Sequence, residues 1–226
     1  MASTVEDKFE TSPASARLKL YSYWRSSCSW RARIALNLKG LPYEYNAVNL
    51  LRGEQFSEDF TKLNPLQFVP TLVDGNVIIS DSLAILLYLE DKYPEHPLLP
   101  KDPRLKAISL QVTAIVGSSI QPLQNLFVLK RVEEKLGPEE RLAWPKYHIE
   151  KGFNALEKLL KNVSGKYCVG DEVTLADVFL APQIFSAARF NVDMSNYPTL
   201  ININKALAEL QEFQAALPER QPDAQA

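Results

Sequence analysis

Leu18-Lys19-Leu20-Tyr21-Ser22-Tyr23 alternates apolar and polar side chains at period two, and Trp24-Arg25-Ser26-Ser27-Cys28-Ser29-Trp30-Arg31 follows it directly. The alternation predicts a strand. Cys28 to Lys39 then places Ile34, Ala35 and Leu38 on one helical face, with Gly40 as a C-terminal cap. Tyr43 to Leu50 predicts a second strand and Gln55 to Leu63 a short helix. Pro70-Thr71-Leu72-Val73 and Val77-Ile78-Ile79, joined by Asp74-Gly75-Asn76, predict a β-hairpin. Ser80 or Asp81 caps the apolar helix Ser82 to Tyr93. The order is β-α-β-α-β-β-α. Its strand-helix-strand unit implies a parallel pair, and the hairpin adds an antiparallel edge.

Residues 94–103, PEHPLLPKDP, hold four prolines in ten positions. Proline removes amide donors and disfavours helix at the preceding residue, so this segment predicts a linker. From about Leu105 to Ala216 the pattern is helical, with breaks at Gly137-Pro138, Gly165 and Pro198. The expected organisation is an α/β domain over 17–93, the linker, an all-helical domain over 104–217 and a C-terminal tail over 218–226. Residues 1–16, acidic and without an apolar core, predict a loose tail and neither a signal nor a transit peptide.

The 226 residues are 46% hydrophobic and 23% charged, which excludes disordered and fibrous classes. Lys plus Arg number 25 against 27 Asp plus Glu, so no basic excess exists to neutralise nucleic acid. Two cysteines, Cys28 and Cys168, make no disulfide framework, and two histidines without a Cys or His cluster make no zinc site. A reducing, cytoplasmic location without metal is expected. The run from Ala107 to Leu129 has no charged residue, but its Ser, Thr, Gln and Asn side chains would be expensive in hydrocarbon. A buried helix with polar groups facing a cleft is expected there, and no membrane partner.

Chemistry concentrates where the first strand meets the first helix. Free amides and the positive end of the helix dipole converge at such a point and stabilise an anion or thiolate. Ser26, Ser27 and Cys28 supply two hydroxyls and a thiol in consecutive positions there. A helix N-terminus also lowers a thiol pKa, which makes Cys28 a candidate nucleophile, although no Cys-x-x-Cys pair follows. Val69-Pro70 enters a strand; a cis bond would expose the Val69 backbone to an extended ligand, while spacing alone favours an ordinary trans edge proline. Asp81-Ser82 opens a helix and offers a carboxylate to an ammonium and a hydroxyl to a carboxylate. In the second half, Thr174-Leu175-Ala176-Asp177 predicts a capping box of structural role, each partner worth on the order of 1 kcal/mol.

Together these pieces resemble a glutathione transferase: a thioredoxin-like domain, a Val-Pro turn, an acidic-Ser pair, a proline linker and a helical domain with a Thr-x-x-Asp box. Ser26-Ser27-Cys28-Ser29-Trp30-Arg31 is similar to the Ser-Ser-Cys signature of the zeta class, also called maleylacetoacetate isomerase. Gln121-Pro122-Leu123-Gln124-Asn125-Leu126, Tyr167-Cys168-Val169-Gly170-Asp171-Glu172 and Arg220-Gln221-Pro222-Asp223 match that class too. The resemblance covers the chain after about Arg17. It implies glutathione as cofactor, isomerisation of maleylacetoacetate to fumarylacetoacetate in tyrosine breakdown, dehalogenation of α-haloacids as a second activity, and a homodimer.

The resemblance also assigns roles. Ser26 hydrogen-bonds the glutathione sulfur, with Ser27 and Cys28 beside it. Gln55 and the Val69 backbone hold the glycyl and cysteinyl parts, and Asp81 and Ser82 receive the γ-glutamyl ammonium and carboxylate. The family's human-type pattern has Gln where Asp81 stands. Gln121 and Asn125, four apart, are expected on one helical face over the cleft. Arg189 matches the arginine for a substrate carboxylate, with Arg25 as a second, and Phe127 stands where relatives can carry a small polar residue. Two alternatives stay open: a thiol transferase using Cys28 in a mixed disulfide, and a non-catalytic glutathione-fold binding module.

Overall fold

The computed structural model describes residues 18–225, so the tail expected over 1–16 lies outside the described residues. Leu18–Ser22 (β1) buries Leu18 and Leu20 and leads into Ser27–Leu38 (α1), after which Tyr43–Ala47 (β2) pairs in parallel with β1, Leu20 opposite Tyr45. Glu58–Leu63 (α2) leads to Thr71–Asp74 (β3) and Val77–Ser80 (β4), an antiparallel hairpin, and Ser82–Lys92 (α3) closes the unit. The four strands run in the order β2-β1-β3-β4, with β3 antiparallel to β1.

Three local expectations are corrected. The strand expected to Leu50 ends at Ala47, because Asn49 turns the chain, its Oδ1 accepting the Leu51 and Arg52 amides at 3.0 and 3.2 Å. The helix expected over Gln55–Leu63 is divided at Ser57, which is extended and caps α2 by accepting the Phe60 amide at 3.3 Å. The Val69–Pro70 bond is cis, not trans.

Pro103–Ala114 (α4) opens the helical half and is followed by Leu126–Leu136 (α5), Glu140–Leu160 (α6), Leu175–Arg189 (α7), Pro198–Ala208 (α8) and Gln211–Ala215 (α9). The uncharged run contributes Val112, Val116, Ile120 and Leu129 to the core. No single helix among the described residues is long and apolar enough to cross a membrane; Pro103–Gln124 and Leu126–Leu136 qualify only jointly, across a 51° bend. That bend corrects a fourth expectation. Gln121–Gln124 is a 3₁₀ turn with Pro122 in its first turn, and Asn125 is extended, capping α5 through the Phe127 amide at 3.0 Å. Gln121 and Asn125 therefore do not share a helical face.

Helix α7 is the central element of the second half, buried from Leu175 to Ile184 and packed against α1, α4 and α8. The two halves are also joined by polar contacts. Arg33 on α1 donates from Nε and Nη2 to the Ala216 carbonyl at 3.2 and 3.1 Å, and from Nη1 to Ser22 Oγ at 3.2 Å. Lys39 pairs with Glu90 at 2.7 Å, and the other Glu90 oxygen accepts the Leu98 and Leu99 amides, which fastens the proline-rich segment. The C-terminal segment is tied down too: Asp223 accepts the Trp24 amide at 3.1 Å and the Tyr45 hydroxyl at 2.6 Å.

Candidate active site

Ser26 is the N-cap of α1, extended at φ −74° and ψ 116°, with its Oγ accepting the Ser29 amide at 3.2 Å. The first turn of any helix has amides without intrahelical acceptors, so the Ser27 and Cys28 amides add positive potential at this point. Ser26, Ser27 and Cys28 line a cavity of about 900 Å³ between the two halves.

Gln55 and Val69 line the same cavity from the first half. Gln55 Oε1 is buried with no partner, and the Val69 backbone makes no backbone hydrogen bond among the described residues. Buried polar atoms of this kind are costly unless something pairs with them, so these positions fit an extended peptide-like molecule. Gln121 and Asn125 reach the cavity from the second half despite the bend, beside Gln124, whose amide pairs reciprocally with that of Gln183 at 3.0 and 3.1 Å.

Asp81 and Ser82 stand apart from that lining. Asp81 caps α3, its Oδ1 accepting the Leu83 amide at 2.9 Å, and holds a left-handed φ of 74°. Ser82 is buried beside Cys28, and Arg31 Nη1 links the two, donating to Ser82 Oγ at 3.2 Å and toward Cys28 Sγ at 3.8 Å.

Cys28 departs from the low-pKa expectation. Burial pushes its thiol up, the Arg31 charge opposes this, and the negative Asp81 adds to the rise. The helix N-terminus does not overcome desolvation.

Arg25, directly before the Ser26 cap, and Arg189, at the C-terminal end of α7, also line the cavity. Burial lowers the Arg189 pKa, and the charges of Arg25 and Arg141 lower it further. No described carboxylate lies within ion-pair distance of Arg25 or Arg189. Both arginines are exposed, and cations that repel one another in a concave, solvent-open site fit an anionic ligand.

Sequence reasoning passed over two features. One is an apolar wall: Phe56, Leu66, Phe68 and Phe127 line the cavity while 62%, 69%, 45% and 70% exposed. They come from three separate segments, Phe56 before α2, Leu66 and Phe68 in the turn before β3, and Phe127 at the start of α5, so no periodic signal groups them. The other is Arg31, only 2% exposed, for which the signal was its place one helical turn after Cys28.

This fold and site define a class. Residues 25–92 match the glutathione S-transferase N-terminal domain and residues 124–220 its C-terminal domain. The chain belongs to the glutathione S-transferase family and is an enzyme of that family. It is 60% identical over 212 residues to a zeta-class glutathione S-transferase of Euphorbia esula, covering 93% of this chain and 94% of the relative, which places it in the zeta class. It is 55% identical over 206 residues to maleylacetoacetate isomerase of Rattus norvegicus, covering 90% and 94%. Among solved structures, maleylacetoacetate isomerase of Anaeromyxobacter dehalogenans 2CP-1, with glutathione bound in its active site, superposes with a TM-score of 0.85 at 44% identity, covering 92% of this chain and 98% of that one.

Proposed function

We propose that this enzyme isomerises maleylacetoacetate to fumarylacetoacetate, a step of tyrosine breakdown, with glutathione as cofactor. The observation that carries the reading is one cavity lined both by the Ser26–Cys28 helix start and by Arg25 and Arg189, neither of which has a carboxylate partner among the described residues. Glutathione supplies a thiol whose thiolate adds reversibly to a cis alkene, allowing rotation before elimination. Ser26 Oγ donates a hydrogen bond that favours this thiolate, reinforced by the first-turn amides of α1. Gln55 Oε1 and the Val69 backbone fix the tripeptide in extended form. Arg189 and Arg25 hold the carboxylates of the substrate and stabilise negative charge as it develops. The same arginines suit α-haloacids, which makes glutathione-dependent dehalogenation the second activity.

The reading extends to a cytoplasmic homodimer. The unpaired Cys28 and Cys168 suit a reducing compartment. Val77 and Ile78 on the outer strand β4 are 39% and 47% exposed, which suits a covered edge.

The test is glutathione-dependent conversion of maleylacetone by wild type, Ser26→Ala and Cys28→Ala. Activity lost with Ser26→Ala and retained with Cys28→Ala supports the isomerase. An inactive wild type that reduces disulfides through Cys28 overturns it in favour of a thiol transferase, and one that only binds glutathione makes it a binding module.

A further inference from the structure

Arg31 is a buried guanidinium without a carboxylate partner. It is 2% exposed, and its Nε and Nη2 are buried with no acceptor among the described residues. Only Nη1 is used, donating to Ser82 Oγ at 3.2 Å and toward Cys28 Sγ at 3.8 Å. The guanidinium carbon lies 4.1 Å from the centroid of the Phe179 ring on α7, so the charge sits at the seam between the two halves. An unpaired buried charge is among the most expensive features a fold can carry, and a cation–π contact offsets only a part of it. Burial lowers the Arg31 pKa, but a guanidinium stays charged at neutral pH.

The hydrogen-bond polarity at Ser82 shows what this charge can do. A serine hydroxyl has one proton and two lone pairs. With Arg31 Nη1 occupying a lone pair, the single Ser82 proton is left to donate, toward the neighbouring Cys28 sulfur or to a ligand carboxylate in its place, and the adjacent cation makes that donor stronger. Arg31 also supplies positive potential to any anion placed on Ser82, which Asp81 on the neighbouring position cannot do.

We infer that Arg31 is a positioning residue for the γ-glutamyl carboxylate of glutathione, orienting the Ser82 hydroxyl toward that carboxylate and supplying the charge behind it. This rests on the proposed reading in which Ser82 receives the carboxylate.

The experiment is calorimetric titration of glutathione and of 4-aminobutyryl-cysteinylglycine, the same tripeptide without the γ-glutamyl carboxylate. The proteins are wild type, Arg31→Met and Arg31→Lys. Wild type should prefer glutathione by roughly tenfold or more, the worth of a hydrogen bond to a charged group. Arg31→Met should abolish most of that preference while leaving affinity for the analogue nearly unchanged. Arg31→Lys, which keeps a cation on a similar stem, should fall between, and it decides the question if the methionine variant does not fold. A purely structural role would weaken both ligands alike and leave the ratio intact, so a wild-type ratio in the folded variants overturns the inference. Wild type that binds glutathione and the analogue equally overturns the role of Ser82 and the inference with it. Wild type that binds neither overturns the glutathione-dependent function itself.

Discussion

The helices α1 and α7 each begin at a hydroxyl N-cap, and the two starts use their polar groups in opposite ways. At α7, Asp177 is fully buried and its carboxylate accepts three hydrogen bonds: the Thr174 amide at 2.8 Å, the Thr174 hydroxyl at 3.0 Å and the Cys168 amide at 2.8 Å. At α1, Ser26 accepts a single 3.2 Å bond, while Ser27, Cys28 and the first amides face a cavity. The α7 start spends its polar groups on the fold. The α1 start leaves its groups for a ligand, and the buried Arg31 beside it shows that the fold tolerates an electrostatic cost there. Stability and chemistry are thus assigned to different copies of one local device.

If this contrast holds, the largest loss of stability comes from the α7 start. Asp177→Ala leaves two buried amides without acceptors and should destabilise the folded state by about 4 kcal/mol, since each stranded donor costs ~1–3 kcal/mol. Denaturant unfolding measures this directly, and a loss near the ~1 kcal/mol of an ordinary cap would break the comparison.

Ser26→Ala should show the reverse partition. Its stability cost is that of one long cap bond, about 1 kcal/mol or less. Turnover of maleylacetone should fall roughly a hundredfold, the scale expected when one donor to a developing or stabilised anion is removed. Equal effects on unfolding and turnover would mean that the α1 start is structural after all.

The difference between the two starts also explains what was legible in the sequence. The strand-helix order, the proline-rich connection and the Thr174–Asp177 box follow from local periodicity and capping chemistry, which act over a few residues. The third bond to Asp177 comes from Cys168, nine residues away across a loop, and no local rule reaches it. The same holds for the bend that separates Gln121 from Asn125: spacing of four implies a shared face only if the helix continues, and Pro122 and the Asn125 cap end it. The apolar wall of Phe56, Phe68 and Phe127 is assembled only by tertiary contact. Residues that face a ligand violate local consistency, which is why the site was readable as a cluster of oddities at Ser26–Cys28 but not in outline.

A smaller effect probes the end of α7 that lines the cavity. Arg189→Met removes a cation repelled by Arg25 and Arg141, so the fold should hold or gain slightly while the KM for a dicarboxylate substrate rises about tenfold, the scale of a charged hydrogen bond lost. Titration of wild type and variant with the substrate surrogate at low and high salt separates charge from shape, since only an electrostatic contribution is screened.

Cys28→Ala should have the smallest effect, below about twofold on turnover, because the thiol is not placed to act as a thiolate. Burial raises its pKa above the ordinary thiol value, so it is protonated at neutral pH. A group whose folded pKa is raised stabilises the folded state below its unfolded pKa, and that contribution fades as pH climbs through the folded value. The stability of wild type should therefore decline more steeply than that of Cys28→Ala above the ordinary thiol range. Alkylation of Cys28 by iodoacetamide should likewise be slow at neutral pH and still be accelerating in that alkaline range. Fast alkylation at neutral pH would place a thiolate at the α1 start, and the helix end rather than burial would then govern Cys28.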